Sequence, residues 1–393
     1  MNQSNPSLKE TRGPSLWVTE PFRVFLPLGV AASIMGVLIW PLFYAGLWKF
    51  PPPLQHPRFM IYGFGFAFIA GFLGTAWPRF LDAKPLKRIE LILLVSTWLL
   101  TQVLCGLNQI RYTDAAFSLQ VLTLIIILAS RLIGRVDKSL PPPGFLLAFG
   151  SVSAAFVISL SWAITPGGLP PKVYLFTKLF LWQGLLLLPI LGVGSYLFAR
   201  IFQEPDKEAV TAKPHLRKIG VWVAAALIIG SFAIEASGWI RTGNLIRFSA
   251  VLIWLGMAAP AVWKGAITST RARALRLAIG SIALSFFVRS IWPGPGYALV
   301  HLLFISGFGM TMLLVADRVT LGHSDQLESQ PSKSKLWRWL IGLILLAAAT
   351  RASADFKASI LVSHHIYAAL IWAIVAVIFW VKVGKFWWNR NVT

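Results

Sequence analysis

LQHPRFMIYGFGFAFIAGFLGTAWPRF, residues 54–80, decides the fold class. Some twenty consecutive residues between Arg58 and Arg79 carry no charge. A helix of that length crosses the ~30 Å hydrocarbon core of a bilayer. The run is continuous rather than alternating, which excludes a transmembrane barrel. It also raises a chemical question, because a titratable metal ligand, His56, stands at its mouth.

The same pattern extends outward in both directions. The chain has 393 residues, is 56% hydrophobic and only 13% charged. A soluble domain would carry roughly 25% charged residues. Twelve apolar spans are predicted, near 24–47, 59–80, 89–108, 114–134, 143–165, 177–200, 218–240, 245–265, 274–292, 297–317, 336–354 and 363–382. The reading is an all-α polytopic membrane protein. It has a tail at 1–22, one transmembrane domain at 23–383 and a second tail at 384–393.

The net charge of +22 raises the question of nucleic acid, and its distribution answers it. The termini and even loops hold 26 of the 36 Lys and Arg, among them Arg79, Lys84, Lys138, Lys207 and Arg217; the odd loops hold 10. That asymmetry is the positive-inside signal. It places both termini in the cytoplasm and makes lipid headgroups, not nucleic acid, the partners of the basic residues. Residues 1–22 lack the apolar core of a cleavable leader, so the first span reads as an anchor. A single cysteine, Cys105, rules out an intrachain disulfide and any Cys-based zinc or iron–sulfur site. No phosphate-binding Gly-x-x-x-x-Gly-Lys loop is present.

On helical spacing His56 continues into a nearly bulk-free stripe, Met60, Gly63, Ala67, Gly71 and Gly74. Such a stripe serves close helix packing. It equally serves a slot for a flat cofactor beneath His56. Ionisable residues inside spans are costly and usually face a site. The outer half gathers His56, His301, His364, His365, Glu235, Arg289 and Arg351. Imidazole is the common protein ligand of haem iron and copper. His56 and His301 are the candidate axial ligands of a haem, with Arg58, Arg289 or Arg351 beside its propionates. Glu235 reads as a proton carrier or as the partner of Arg289 or Arg241. His364 and His365 are the further metal candidates, but neighbours on a helix point ~100° apart and do not readily share one ion. His215 reads as a solvated loop residue.

A faint period accompanies these residues. Arg79, Arg200 and Arg318 end spans 2, 6 and 10 at spacings of 121 and 118 residues. Either every inward-ending helix stops at a basic residue, or the chain is three four-helix arcs about a pseudo-threefold axis.

"HPRFMIYGFGFAFIAGFLGTAWPRF" and "HLLFISGFGMTMLLVADRVTLGHSDQ" resemble the two signatures of the NnrS family, and "LLAAATRAS" resembles a later helix of it. The resemblance implies a twelve-span bacterial inner-membrane protein that contains haem and copper and serves the nitric oxide response. It also implies a helical plan like that of the haem–copper oxidase main subunit. His56, His301 and His323 fall on family histidines. The family's second histidine is Arg58 here and its glutamate is Phe59. The segment expected at the end of span 6 reads "GVGSYLFARIF". The chain therefore resembles a divergent member, and the missing metal site is read as copper.

The resulting expectation is gas or electron chemistry at a haem in the outer half, fed by a membrane or periplasmic electron donor. No residue demonstrates turnover, and a sensor or protective nitric oxide binder fits as well as an enzyme does. Two rivals stand beside it: a haem-free secondary transporter with a midplane site between two six-helix halves, and a cofactor-free structural subunit of a respiratory complex.

Overall fold

The computed structural model describes residues 15–135, 141–165, 167–202, 211–294, 298–327 and 331–388. Lys138, Lys207, residues 1–14 of the expected first tail and 389–393 of the second lie outside the described residues. Among the described residues there is no strand. Eleven helices are long and apolar enough to cross a membrane: α1 (Phe22–Tyr44), α2 (Pro52–Phe80), α3 (Arg88–Gly106), α4 (Ile110–Ile133), α5 (Pro143–Ile164), α6 (Pro171–Ile201), α7 (Pro214–Ala236), α9 (Thr270–Ile291), α10 (Leu302–Gly322), α11 (Lys335–Phe356) and α12 (Ala358–Phe386). Between α7 and α9 lies α8 (Ile240–Met257), whose Arg241, Asn244 and Arg247 make it less apolar than the rest.

Helix ends follow backbone chemistry rather than hydropathy. Proline, which fits the first helical turn because its missing N–H has no partner there, opens α2, α5, α6 and α7. So α2 begins at Pro52 and already contains His56 and Arg58, where hydropathy starts the span at 59. α8 ends at Met257, short of the expected 265, and Pro260, which cannot donate to a continuing ladder, opens a separate short helix, Pro260–Lys264. Tight turns at Asn108 (φ 57°) and Gly238 (φ 100°) fold α3 onto α4 and α7 onto α8.

Neighbouring helices in the chain pack side by side in sequence, and α12 returns to pack on α1, so the array closes into a ring. Near Arg79, Glu20 pins that closure. Its carboxylate accepts from Arg23 (2.6 Å), Arg79 (3.0 Å) and His323 (2.7 Å). Arg23 donates in turn to the carbonyls of Phe386, Trp387 and His323. His323 is thus the C-cap of α10 and part of this closure.

Three helices depart from α geometry in the same way. Each carries a π-helical segment: Phe59–Gly65 in α2, Phe180–Gly184 in α6 and Leu302–Gly309 in α10. The segments start at 59, 180 and 302, spacings of 121 and 122 residues. That recurrence favours the repeat over coincident basic ends. A π turn rotates side chains out of α register and leaves carbonyls to be satisfied elsewhere. The Gly63 carbonyl accepts from Trp98 Nε1 at 3.1 Å.

The glycine stripe of α2 turns out to be a packing surface. A side chain at Gly63 would meet Gln102 Oε1 at 2.5 Å and Ala32 Cβ at 2.7 Å, and one at Gly71 would meet Phe22 and Phe25 at 3.0 Å. The stripe therefore admits α1 and α3, and the cofactor slot suggested beneath His56 does not lie along it.

Candidate functional site

The main cavity, about 510 Å³, opens beside the π segments, among α1, α2, α6, α10, α11 and α12. That volume lies in the range of small-molecule and cofactor sites. His56, His301 and His365 line it together with Arg58, Arg351 and Lys178.

His56 sits one turn before the π segment of α2, and its Nδ1 donates to the Gly36 carbonyl of α1 at 2.8 Å. A carbonyl can only accept, so the proton is on Nδ1 and Nε2 keeps its lone pair. This is the arrangement in which a backbone carbonyl orients a metal-binding imidazole. His301 caps the π segment of α10. The two rings lie 6.3 Å apart between centroids, with planes 25° from parallel. Rings in face contact are much closer, as the 3.7 Å of Tyr62 and Phe117 shows. Two ~2.1 Å metal–nitrogen bonds and ~1.2 Å from each nitrogen to its ring centre add to roughly 6.5 Å. The 6.3 Å between the ring centres leaves room for one metal between the two imidazoles.

Behind His56, the edge of Trp40 meets both His56 (6.0 Å) and His365 (4.7 Å). His365 Nδ1 bonds the Tyr44 hydroxyl at 2.8 Å, and its Nε2 lies 4.0 Å from Asp355. Asp355 also pairs with Arg351 at 3.3 Å. Lys178 lies over the Trp182 ring at 4.8 Å. Three buried nitrogens of lining residues have no hydrogen-bond partner among the described residues: the indole N–H groups of Trp182 and Trp372, and His365 Nε2. Unpaired buried donors are uncommon and call for an acceptor. A cofactor or ligand carrying oxygens would supply one.

Other predicted residues stand apart. Arg58 reaches the wall, but its guanidinium is engaged by Asp114 of α4, Nε to Oδ1 at 2.9 Å and Nη2 to Oδ2 at 2.8 Å. Nη1 donates to the Leu54 carbonyl, so Arg58 holds helices together rather than offering a free fork to a propionate. Glu235 and Arg289 pair at 3.4 Å outside the cavity wall. The second partner of Glu235 is Arg247, not Arg241; Arg247 also donates to Gln183 at 2.9 Å. His364 turns away and bonds the Ile360 carbonyl at 3.0 Å, diverging from His365 as helical geometry requires.

Two of the buried ion pairs echo each other. Tyr62 and Gln183, 121 residues apart and each fourth in its π segment, bond Asp114 of α4 and Arg247 of α8. Asp114 and Arg247 escaped the sequence reading because each sits at the edge of a predicted span, where charge is unremarkable. Trp40, Tyr44, Lys178 and Asp355 carry no signal of their own in the sequence; only the packing brings them to the site.

The family model for NnrS protein matches residues 16–390. The chain belongs to the NnrS family. Membership makes it a membrane protein of the nitric oxide response. No match was found among curated proteins. Within the NnrS match fall His56 and His301, the π segments that follow them, and the whole wall of the cavity.

Proposed function

We propose that this NnrS-family protein binds a haem in the chamber, where His56 and His301 would hold it. It would serve the nitric oxide response from the bacterial cytoplasmic membrane, termini in the cytoplasm and chamber toward the periplasm. The supporting observation is the pair of imidazoles whose rings lie 6.3 Å apart in the wall of one cavity of cofactor size. A bound haem would supply one-electron transfer, and gas binding where one of the two imidazoles gives up the iron. Everything else is the work of the chain. Gly36 fixes the His56 tautomer. Arg351 and Lys178 bring positive charge to the wall for an anionic ring edge. Trp182 and Trp372 offer N–H donors to oxygen atoms of the occupant. His365, between Tyr44 and Asp355, is placed to hold a proton at Nε2.

The donors suit haem better than copper. A copper site would want two or three further imidazoles. The wall adds one further imidazole, His365, and no cluster of three His, Cys, Asp or Glu suited to a metal occurs among the described residues.

The test is a dithionite-reduced minus oxidised spectrum of purified protein, with metal analysis. A Soret and α-band that are lost or shifted in His56→Ala and in His301→Ala, with both variants still in the membrane, support the proposal. Bands unchanged in both variants remove these ligands. A colourless wild type that takes up substrate into vesicles favours the transporter, and a colourless one without uptake favours the structural subunit.

A further inference from the structure

A second cavity occupies the other half of the bundle. It offers about 100 Å³ among α1, α2, α6 and α10 and is only partly enclosed. Its wall is carbon, apart from the Thr311 hydroxyl, which is already donated to the Gly307 carbonyl at 2.8 Å. Local chain chemistry leaves it unfilled. Pro189 interrupts the hydrogen-bond ladder of α6 beside it. Gly194 lets Phe198 fold onto its own helix, so close that a side chain at 194 would lie 2.5 Å from that ring. Leu186 and Met312 line both cavities, so the two share a wall made of side chains that can change rotamer.

A buried water needs two to four polar partners, and this wall offers almost none. Apolar cavities of this order stay dry and take up apolar guests such as xenon. The volume is too small for a cofactor ring and sufficient for a diatomic molecule.

We propose that this cavity is a holding site for a small neutral diatomic gas, which exchanges with the main chamber past Leu186 and Met312. The holding site stands on the cavity alone; the exchange step rests on the gas chemistry proposed for the chamber.

Two measurements test the parts separately. Crystals of the full-length protein under xenon pressure should show anomalous density between Leu73, Val193 and Ala316. Ala316→Leu and Val193→Phe, each filling the space, should abolish it. Absent xenon density, ordered water or an acyl chain in its place overturns the holding site, whether or not haem is present. For exchange, carbon monoxide bound to the haem is released by a flash and its rebinding followed. Xenon should raise the fraction that rebinds promptly in the wild type and leave Val193→Phe unaffected. Xenon bound in the cavity with unchanged rebinding overturns the exchange. A protein without haem bands but with bound xenon overturns the haem proposal and leaves the holding site intact.

Discussion

Asp114→Ala provides a sharp test of how this bundle manages charge. Asp114 accepts two bonds from Arg58 and one from the Tyr62 hydroxyl, at 2.8–2.9 Å. Side-chain exposures of 7% and 5% place the ion pair inside the protein. Truncating the acid leaves Arg58 charged and buried, with the Leu54 carbonyl as its remaining hydrogen-bond acceptor among the described residues and the Tyr62 and Trp162 rings 6.0 Å away. Removing one partner of a buried pair costs about 3–5 kcal/mol. The orphaned Tyr62 hydroxyl adds about 1–3 kcal/mol, not fully additive because the groups share one network. A total near 5 kcal/mol lowers the folding equilibrium constant by roughly 10³–10⁴. The assay is unfolding in mixed micelles, followed by tryptophan fluorescence. Arg58→Met combined with Asp114→Leu should regain most of the loss, because an apolar pair of similar size carries no unpaired charge. If Asp114→Ala instead unfolds within ~0.5 kcal/mol of wild type, the range of an ordinary surface change, and shifts the haem bands, then Arg58 is a cofactor contact and the structural assignment is wrong.

Glu235→Gln leaves Arg247 and Arg289 without their shared carboxylate. It should destabilise by about 3–5 kcal/mol in the same assay and leave the haem bands in place; displaced bands would put this cluster inside the site. Burial opposes ionisation of Glu20, but its bonds from His323 and Arg23 outweigh that and hold its pKa down from 4.5 to about 2. The folded value is the lower one, so its contribution is complete above pH 4.5 and is lost as pH falls toward 2. Glu20→Gln should flatten that part of the stability–pH curve, and an unaltered curve would refute the assignment. His365→Ala should shift the haem spectrum through the chamber wall, whereas His364→Ala should not; equal shifts in both would mean that His364 also faces inward.

Sequence alone determined that the chain lives in a bilayer as a bundle of helices. Runs such as 59–80 are long, apolar and uncharged, and lipid admits only backbone that satisfies itself. It also picked out His56 and His301, since an imidazole opening an apolar helix is conspicuous in one dimension. The partners of those residues were another matter. Whether the Gly63 stripe received a helix or a cofactor depended on what lay opposite, and α1 and α3 lie there. Arg58 looked free until Asp114, 56 residues away, closed on it. Glu235 found Arg247 rather than Arg241, because helical pitch and the turn at Gly238 decide which arginine faces it. The extra residue of each π turn rotates everything before it. No hydropathy pattern records that rotation, and only the folded ring brings two histidines from distant helices to 6.3 Å between ring centres.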